Sequence, residues 1–405
     1  AEAERSMLEE FAAGRYTLEQ PYIRLNPYLI NPLSAVVAFR TEAETAVTVT
    51  IYGKEERGNI VHTFPAAKEH ILPILGLYGG CANQVELRLY GGRAQCITIR
   101  TESLDTAVPV LLSMHTEPEY SGKELIFVTP SLNALATAFD YRGDVRWHLT
   151  VPVIFEMKRL RNGNFLIGTE RVMQMPYYMS GLYEMTMMGK IVREYSIPGG
   201  YHHDEWEMEN GDLLVLTEDP GYEVVEDMIV LIDRETGEIK KSWDLKDCLV
   251  PGEGASGGYT PRDWFHNNAL WYDSHTNSIT LSGRHVDAII NIDYDTGKLN
   301  WILGDPETWP EDKQKYFFAI KGGGDFDWPN GGIMCFDNGH YRSKIREKFL
   351  LNKDSFSRGV LYRIDREAMT IEQLWQYGKE RGEEFFSSYI GNVEWYGEDH
   401  YLVHS

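Results

Sequence analysis

The chain has 405 residues, of which 43% are hydrophobic and 12% aromatic, so it can fill a substantial core in one large or several smaller domains. Its formal net charge of −22 argues against a nucleic-acid-binding surface, and no apolar run reaches the length of a membrane span. The four cysteines are widely spaced and form no Cys-x-x-Cys pair, so they predict neither a zinc site nor a disulfide framework.

The first part of the chain has the pattern of a small β domain. A short helix is predicted over Ser6–Ala13, and alternating apolar runs follow, separated by Asn-Pro, Gly-Gly and Gly-Asn turn signals. These runs are Ala35–Phe39, Ala46–Tyr52, Gln84–Leu89 and Cys96–Arg100. We therefore predict a β-sandwich-like domain over residues 1–118.

Two motifs then alternate along the chain. In the first, an apolar strand ends in an acidic residue, a turn follows, and another strand begins. Its copies begin at Ala138, Leu182, Leu231, Asn291 and Arg363. In the second, an Asn-Gly type of turn joins two apolar strands. Its copies begin at Leu160, Met208 and Pro329, with divergent versions at Tyr272 and Tyr396.

The two motifs interleave at roughly 45 to 70 residues, which is the spacing of β-propeller blades. We predict an all-β chain with a β-propeller over residues 119–405, in which the first and last blades are incomplete and together close the ring.

One stretch, Asp263–Pro306, has the pattern of a complete blade. Three short apolar runs and a fourth ending at Trp301 are separated by turn-forming residues. The runs are Asn268–Trp271, Ser278–Ser282 and Ala288–Ile292. Four polar residues fall at or near the ends of these strands, without an acidic partner beside each one: His266, Asn268, Arg284 and His285. Such a group suits an anionic substrate.

Aligning the hairpin turns places two histidines at equivalent positions of neighbouring blades. His203 lies seven residues before Asn210, and His266 lies seven residues before Asp273. Both are predicted to begin an innermost strand and face the central channel, the alternative being coincidence. His202 then points to the opposite face as a structural residue. Arg284 either reaches the same channel mouth or forms a surface ion pair.

Imidazole, guanidinium and amide groups together suit the transfer of a phosphoryl or sulfuryl group. Neutral imidazole is a nucleophile and proton carrier near neutral pH, and Arg and Asn side chains stabilise the oxygens of the transferred group. No Gly-rich phosphate loop is present, so nucleotide-dependent transfer is disfavoured and no cofactor is predicted. A metal on His203 and His266 lacks an evident third ligand, so none is predicted. Trp264, Phe265 and Tyr177 either stack on an aryl substrate or pack in the core.

Several of these segments resemble the bacterial arylsulfate sulfotransferases that need no adenylyl-sulfate donor. The segments that carry the resemblance are NPYLINPL, HILPILGLYGGCANQVEL, YHHDEWEMENGDLLVL, DWFHNNALWYD and SGRHVDAIINID. The resemblance runs from about residue 20 to the C-terminus. It implies a β-sandwich-like domain on a six-bladed propeller, export to the periplasm, a homodimer, and ping-pong transfer from an aryl sulfate to a phenol through a sulfated histidine.

By position, the resemblance implies that His203, His266, Asn268 and Arg284 form the catalytic set. The chain departs from the family at one place, because the family's nucleophilic histidine belongs to a Gln-His motif in the following blade. Here Trp328 runs directly into Pro329, with no room for that strand. Losing an inner strand would leave backbone groups unpaired, so we expect an omitted segment near 328–329. An aryl sulfate hydrolase and a non-catalytic ligand-binding propeller are the alternative functions.

Overall fold

The computed structural model describes residues 2–115, 124–130, 134–169, 172–174, 178–221, 223–320, 332–397 and 400–405. Strands dominate these residues, and the predicted all-β class is confirmed. The chain divides into two compact units. The first comprises residues 1–170 with 181–195, and the second comprises residues 171–180 with 196–405. No helix among the described residues has both the length and the apolar character needed to cross a membrane.

The first unit begins with a helix and a five-stranded sheet. The sheet has the order β1-β2-β4-β5, with β3 paired to β2. These elements are α1 (Glu2–Ala13), β1 (Tyr22–Leu25), β2 (Ser34–Ile51), β3 (Ile60–Leu75), β4 (Ala82–Leu89) and β5 (Ala94–Arg100). Its core is formed by alternate residues of the strands, among them Val37, Phe39, Val49, Ile74 and Leu87.

Two of the predicted runs are halves of one strand, and one long strand escaped prediction. Ala35–Phe39 and Ala46–Tyr52 both belong to β2, which shifts register between Arg40 and Val47. The missed strand, β3, contains Pro65 and Pro73. Proline cannot donate a hydrogen bond to a neighbouring strand, but β3 pairs only with β2 and therefore has an open edge where proline is tolerated.

The remaining strands before residue 202 form two further sheets. One is three-stranded, and in the other β12 pairs with β10, β11 and β13, while β9 pairs with β10. These strands are β6 (Ile126–Val128), β7 (Thr137–Phe139), β8 (Val145–His148), β9 (Met157–Arg159), β10 (Phe165–Gly168), β11 (Val172–Gln174), β12 (Tyr178–Met185) and β13 (Ile191–Tyr201). The division between the two units falls within β12 and β13.

The second unit contains two four-stranded antiparallel sheets whose strands pair in chain order. They are β14 (Glu205–Glu207), β15 (Leu213–Thr217), β16 (Met228–Ile232) and β17 (Ile239–Asp244), then β18 (Asn267–Asp273), β19 (Ser278–Gly283), β20 (Ala288–Asp293) and β21 (Leu299–Gly304). The four strands predicted within Asp263–Pro306 are therefore confirmed. The two sheets share one core, which includes Leu214, Leu231, Leu281 and Ile290.

Two smaller sheets complete the second unit. One has the order β22-β25-β24-β23 and the other consists of β26 and β27. Their strands are β22 (Ala319–Ile320), β23 (Gly332–Asp337), β24 (Arg358–Asp365), β25 (Thr370–Tyr377), β26 (Asn392–Gly397) and β27 (His400–His404). Short 3-10 helices connect several strands: Glu56–Gly58, Leu245–Asp247, Arg284–Val286, Glu311–Tyr316, Arg346–Lys348, Asn352–Asp354 and Lys379–Phe385. The junction of Trp328 and Pro329 lies outside the described residues.

The two predicted turn motifs each have a common geometry in the copies compared below. Asp233 directly follows β16 and Asp293 ends β20, and each side chain accepts hydrogen bonds from backbone amides two or three residues later. In the hairpin motif, Gly163 and Gly211 have φ of 86° and 90°, which glycine adopts without steric cost. These turns join β9 to β10 and β14 to β15, as the Asn-Gly pattern predicts.

Candidate functional site

The candidate site lies where loops of the two four-stranded sheets are hydrogen-bonded to each other. The backbone N–H of Asn267 donates to the Glu226 carbonyl, at 3.0 Å, which joins the loop before β16 to the start of β18. The N–H of Arg284 donates to the His266 carbonyl, at 3.1 Å, which brings the end of β19 beside the same segment. These bonds hold His266 between Glu226 and Arg284.

Three residues of the site have backbone conformations that are uncommon for residues other than glycine. The φ angles of His203, Glu226 and His266 are 58°, 58° and 56°. Each such conformation costs on the order of 1–3 kcal/mol and persists only where surrounding contacts enforce it. His203 and His266 share this conformation just before the first strands of the two sheets, which agrees with the equivalent positions predicted from the turn alignment.

His203 and His266 are brought together as the turn alignment predicts. Their ring centroids are 5.0 Å apart and the rings are inclined by 71°. Asp204 helps to hold this arrangement, because its Oδ2 accepts a hydrogen bond of 2.7 Å from the backbone N–H of Leu270 in β18. The residue next to one histidine is thus tied to the strand that follows the other.

His202 sets the tautomer of His203. His202 is fully buried, which lowers its pKa and keeps it neutral. Its Nε2 lies 3.1 Å from the Thr217 carbonyl oxygen, which can only accept, so the proton of His202 is on Nε2. Nδ1 of His202 is then an acceptor, and the Nδ1–H of His203 donates to it across 3.1 Å. In neutral His203 the lone pair is therefore on Nε2.

The two central histidines differ in charge. Burial lowers the pKa of His203 to about 3, so His203 is neutral at pH 7. Burial also opposes the charging of His266, but a hydrogen bond to Asp263 and an ion pair with Glu226 outweigh it and raise its pKa to about 9. His266 is therefore an imidazolium at pH 7.

Two carboxylates contact His266, which corrects the prediction of a cluster without acidic partners. Nδ1 of His266 lies 2.7 Å from Oδ2 of Asp263 and 2.8 Å from Oε2 of Glu226. Burial alone would raise the pKa of Glu226, but the hydrogen bond with His266 and the nearby histidines lower it, so Glu226 is ionised. Asp263 is three residues before His266, whereas Glu226 is forty residues away in sequence and is placed there only by the sheet pairing.

Arg284 is an exposed cation at the edge of this cluster. Its guanidinium makes no hydrogen bond or ion pair within the part of the chain that the structure describes, and its charge contributes to the lowered pKa values of His203, His285 and His340. The surface ion pair considered as the alternative for Arg284 is absent among the described residues. Arg284 is therefore available to bind an anion.

Asn268 follows His266 by two residues along the chain, and His285 lies in the cluster. The register of β18 against β19 shifts between Asn267 and Ala269, so Asn268 lies at a bulge, a feature that commonly redirects a side chain beside an active site. Nδ1–H of His285 donates to the Asp263 carbonyl, at 2.6 Å, and the His285 ring is 4.6 Å from that of His266. His285 therefore supports the loop that carries Asp263.

Two of the three aromatic residues predicted as possible substrate contacts are core residues. Trp264 and Phe265 are both fully buried in the core of the second unit. The indole N–H of Trp264 donates to Asp227, at 2.9 Å, which fixes the loop beside Glu226. Of the two predicted roles, substrate stacking and core packing, these two residues have the second. Tyr177 lies outside the described residues.

Two groups of side chains have the spacing of metal ligands. In each group the potential ligand atoms lie within 4.8 Å of one another, and the groups are His202, His203 and Glu226, and Asp263, His266 and His285. Several of these atoms already take part in hydrogen bonds or ion pairs within the cluster, such as Nδ1 of His202 with Nδ1 of His203. Hydrogen bonds and ion pairs among these side chains therefore involve the same atoms that a metal ion would use.

Comparison with protein families identifies both parts of the chain. Residues 112–405 match the model of the arylsulfotransferases, and residues 22–106 match that of the arylsulfotransferase Ig-like domain. Arylsulfate sulfotransferase AssT of Escherichia coli O6:H1 is 24% identical over 496 residues, with 92% of this chain and 82% of the relative covered. AssT of Lelliottia amnigena is 24% identical over 498 residues, with the same coverage.

The matched region is longer than this chain, so the two relatives contain residues that have no counterpart in it. Among solved structures, an auxiliary nutrient binding protein from Bacteroides ovatus is 12% identical with a TM-score of 0.34, and the match covers 84% of this chain and 82% of that one. Similarity at that level supports no conclusion about the fold.

Proposed function

Because the chain belongs to the arylsulfotransferase family, we propose that it transfers a sulfuryl group from an aryl sulfate to a phenol. Membership of the family makes it a sulfotransferase. Transfer from an aryl sulfate to a phenol is supported above all by two histidines whose rings are 5.0 Å apart. One is neutral and the other protonated, and both lie beside an arginine without an ion-pair partner among the described residues. Such a site offers a base, an acid and an anion-binding group at one place.

Each side chain has a role that follows from its charge. Arg284 binds the sulfate oxygens of the donor, and the carboxamide of Asn268 adds a neutral hydrogen-bond donor. His266, as the imidazolium, protonates the phenolate that leaves. His203, with its lone pair on Nε2, accepts the proton of the acceptor phenol in the second half of the reaction.

The proposal includes a ping-pong sequence with a sulfated histidine as intermediate. We place the attacking histidine in the segment expected near 328–329, which lies outside the described residues. The longer matched region of the relatives supports a segment of this kind. No adenylyl-sulfate donor or other cofactor takes part in this scheme.

A six-bladed propeller, export to the periplasm and a homodimer complete the proposal. The two four-stranded sheets with equivalent turns and equivalent histidines support the propeller, since these are the repeats from which such a ring is built. Two alternative functions would use the same site. In a hydrolase, water replaces the phenol, and in a non-catalytic propeller the site only binds an anion.

The deciding experiment measures phenol release from 4-nitrophenyl sulfate with and without an added phenol. A transferase releases 4-nitrophenol much faster when the acceptor is present and forms the sulfated acceptor in equal amount. Release that is independent of the acceptor identifies a hydrolase. Binding of the sulfate ester without release of phenol identifies a non-catalytic protein.

We predict that His266→Ala and Arg284→Ala each reduce the rate of transfer from a donor with a basic leaving phenol, such as 4-methoxyphenyl sulfate, by about 10²- to 10⁴-fold, because each removes a charge that acts on the transition state. The matched control is His275→Ala, since the His275 side chain is 76% exposed at a hairpin turn outside the cluster. Rates near that of the unmodified protein in both site variants remove this cluster from the mechanism.

A further inference from the structure

His266 is contacted by two carboxylates through one ring nitrogen. Its Nδ1 is 2.7 Å from Asp263 Oδ2 and 2.8 Å from Glu226 Oε2. One acceptor is enough to fix the tautomer of an imidazole, because Nδ1 carries a single proton. The second carboxylate therefore adds negative charge beside a ring that is already oriented.

Hydrogen bonds fix the backbone of both acidic residues. The N–H of Asp263 donates to Thr260 Oγ1, at 3.1 Å, and its carbonyl accepts the 2.6 Å bond from His285. The Glu226 side chain is 2% exposed. Its backbone has a left-handed conformation, which the hydrogen bond from the Asn267 N–H to the Glu226 carbonyl helps to enforce. Neither carboxylate needs to be ordered when substrate binds.

The remaining groups around His266 leave it the only imidazolium of the cluster. The other titratable and charged groups near it are His202, His203, His285 and Arg284. The pKa values of the three other histidines are lowered, mainly by burial, so these rings are neutral at pH 7. Asp263 and Glu226 therefore have His266 as their only positively charged imidazole partner in the cluster, although Asp263 also lies 3.4 Å from Nδ1 of the neutral His285. Arg284 remains for the sulfate.

We propose that Asp263 and Glu226 are positioning residues that keep His266 protonated, so that the enzyme can use aryl sulfates whose phenols are poor leaving groups. This inference rests on the proposed transfer function. Donors of this class are simple alkyl and alkoxy phenyl sulfates, including sulfated tyrosine-like phenols, rather than only nitrophenyl sulfates.

The chemical step explains why the leaving group matters. The bond between sulfur and the aryl oxygen breaks while a bond forms between sulfur and the attacking imidazole nitrogen. The electron pair of the broken bond stays on the aryl oxygen, which takes the Nε2 proton of His266. Unactivated phenols titrate near pH 10, so an acid with a pKa of about 9 is well matched to them. Nitrophenolate is a weaker base and leaves without this proton.

The experiment compares unmodified protein, Asp263→Asn, Glu226→Gln and Asp263→Glu on a series of aryl sulfates, with one acceptor in excess. We expect Asp263→Asn and Glu226→Gln to reduce kcat for 4-methoxyphenyl sulfate by about a hundredfold, but kcat for 4-nitrophenyl sulfate by less than about fivefold. Asp263→Glu should recover much of the loss. Asp312→Asn, with a side chain that is 71% exposed, is the control carboxylate.

The pH dependence provides a second criterion. Because the pKa of His266 is raised, its acid form is present below about pH 9 and is lost as the pH rises through that value. The basic limb of kcat for 4-methoxyphenyl sulfate should therefore move to lower pH in Asp263→Asn. An equal loss for all donors, with an unmoved basic limb, would mean that Asp263 is merely structural and would overturn the inference.

A measurement without turnover separates this inference from the proposed function. The His266 ring should titrate near pH 9 by NMR in the unmodified protein and at lower pH in both carboxylate variants. A value near 6.5 in the unmodified protein overturns the inference even if transfer occurs. If no aryl sulfate is turned over, the proposed function and the inference built on it both fail, whatever the titration.

Discussion

At the scale of single residues, chemically identical side chains have opposite protonation states. His203 and His266 share a backbone conformation and a structural position, and their rings are adjacent. His203 is desolvated by burial and forms a hydrogen bond with the neutral His202, whereas two carboxylates contact His266. The partners alone therefore decide which histidine is the acid and which is the base.

His202→Phe tests how the base is oriented. Phenylalanine preserves the buried ring but removes the acceptor that holds the Nδ1–H of His203 and also the bond to Thr217. His203 can then adopt the other tautomer, and we expect transfer to slow by about ten- to a hundredfold. A double-mutant cycle with His203→Gln should show strong coupling. Additive losses would indicate that His202 acts on stability and not on the tautomer.

At the scale of elements, recurrent turns determine where strands begin and end. An aspartate lies at or directly after the end of the third strand in both four-stranded sheets. These residues are Asp233 and Asp293, and each caps the turn that follows. In the first unit, Asp140 has this position after β7, and its Oδ1 accepts bonds from the backbone N–H groups of Arg142 and Asp144. Its Oδ2 forms an ion pair with Arg146.

Asp140 and Arg146 form a buried ion pair within the first unit. Their side chains are 4% and 1% exposed, and the guanidinium also donates to the carbonyl oxygens of Gly58 and Gly76. Arg146 thus joins the three-stranded sheet to loops of the five-stranded sheet. Because its removal leaves a buried carboxylate without its counter-ion, we expect a large effect on the stability of this unit.

We predict that Arg146→Met lowers the free energy of unfolding by about 3–5 kcal/mol, measured by urea denaturation. Arg142→Met is the matched control in the same turn, because the Arg142 side chain is 44% exposed and pairs with an exposed Glu55. We expect this control to change the free energy by less than about 1 kcal/mol. Equal effects of the two substitutions would contradict a stabilising role for the buried pair.

At the scale of the whole molecule, the chain consists of two units. The site residues from His202 to His285 all belong to the second unit. The sequence of this unit also includes the junction of Trp328 and Pro329, where we proposed an omitted segment. The relatives are matched over more residues than this chain contains. We therefore propose that the natural protein contains additional residues at this junction.

Mass spectrometry of the intact natural protein tests this expectation. A mass above 46.5 kDa, together with a tryptic peptide that extends past Trp328 into new sequence containing a Gln-His pair, would support the omitted segment. A mass of 46.5 kDa, with a peptide that joins Trp328 directly to Pro329, would exclude it. In that case the ping-pong scheme would lose its nucleophile.

The sequence alone determined the local elements and the identity of several site residues. Turn residues and alternating apolar residues act over short distances, so the four strands of Asp263–Pro306 and the equivalence of His203 and His266 could be predicted. Long-range pairing could not. The strand β3 was missed because Pro65 and Pro73 oppose the usual strand pattern, and only an open sheet edge tolerates them.

Only the tertiary structure decided the electrostatics of the site. Glu226 reaches His266 because the loop before β16 pairs with the start of β18, and burial of Trp264 and Phe265 removes them from the site. Sequence spacing contains no information about such contacts, since they depend on how two sheets pack. The histidines were visible in the sequence, but their charges depend on neighbours that folding brings within 3 Å, where burial and hydrogen bonding control the pKa.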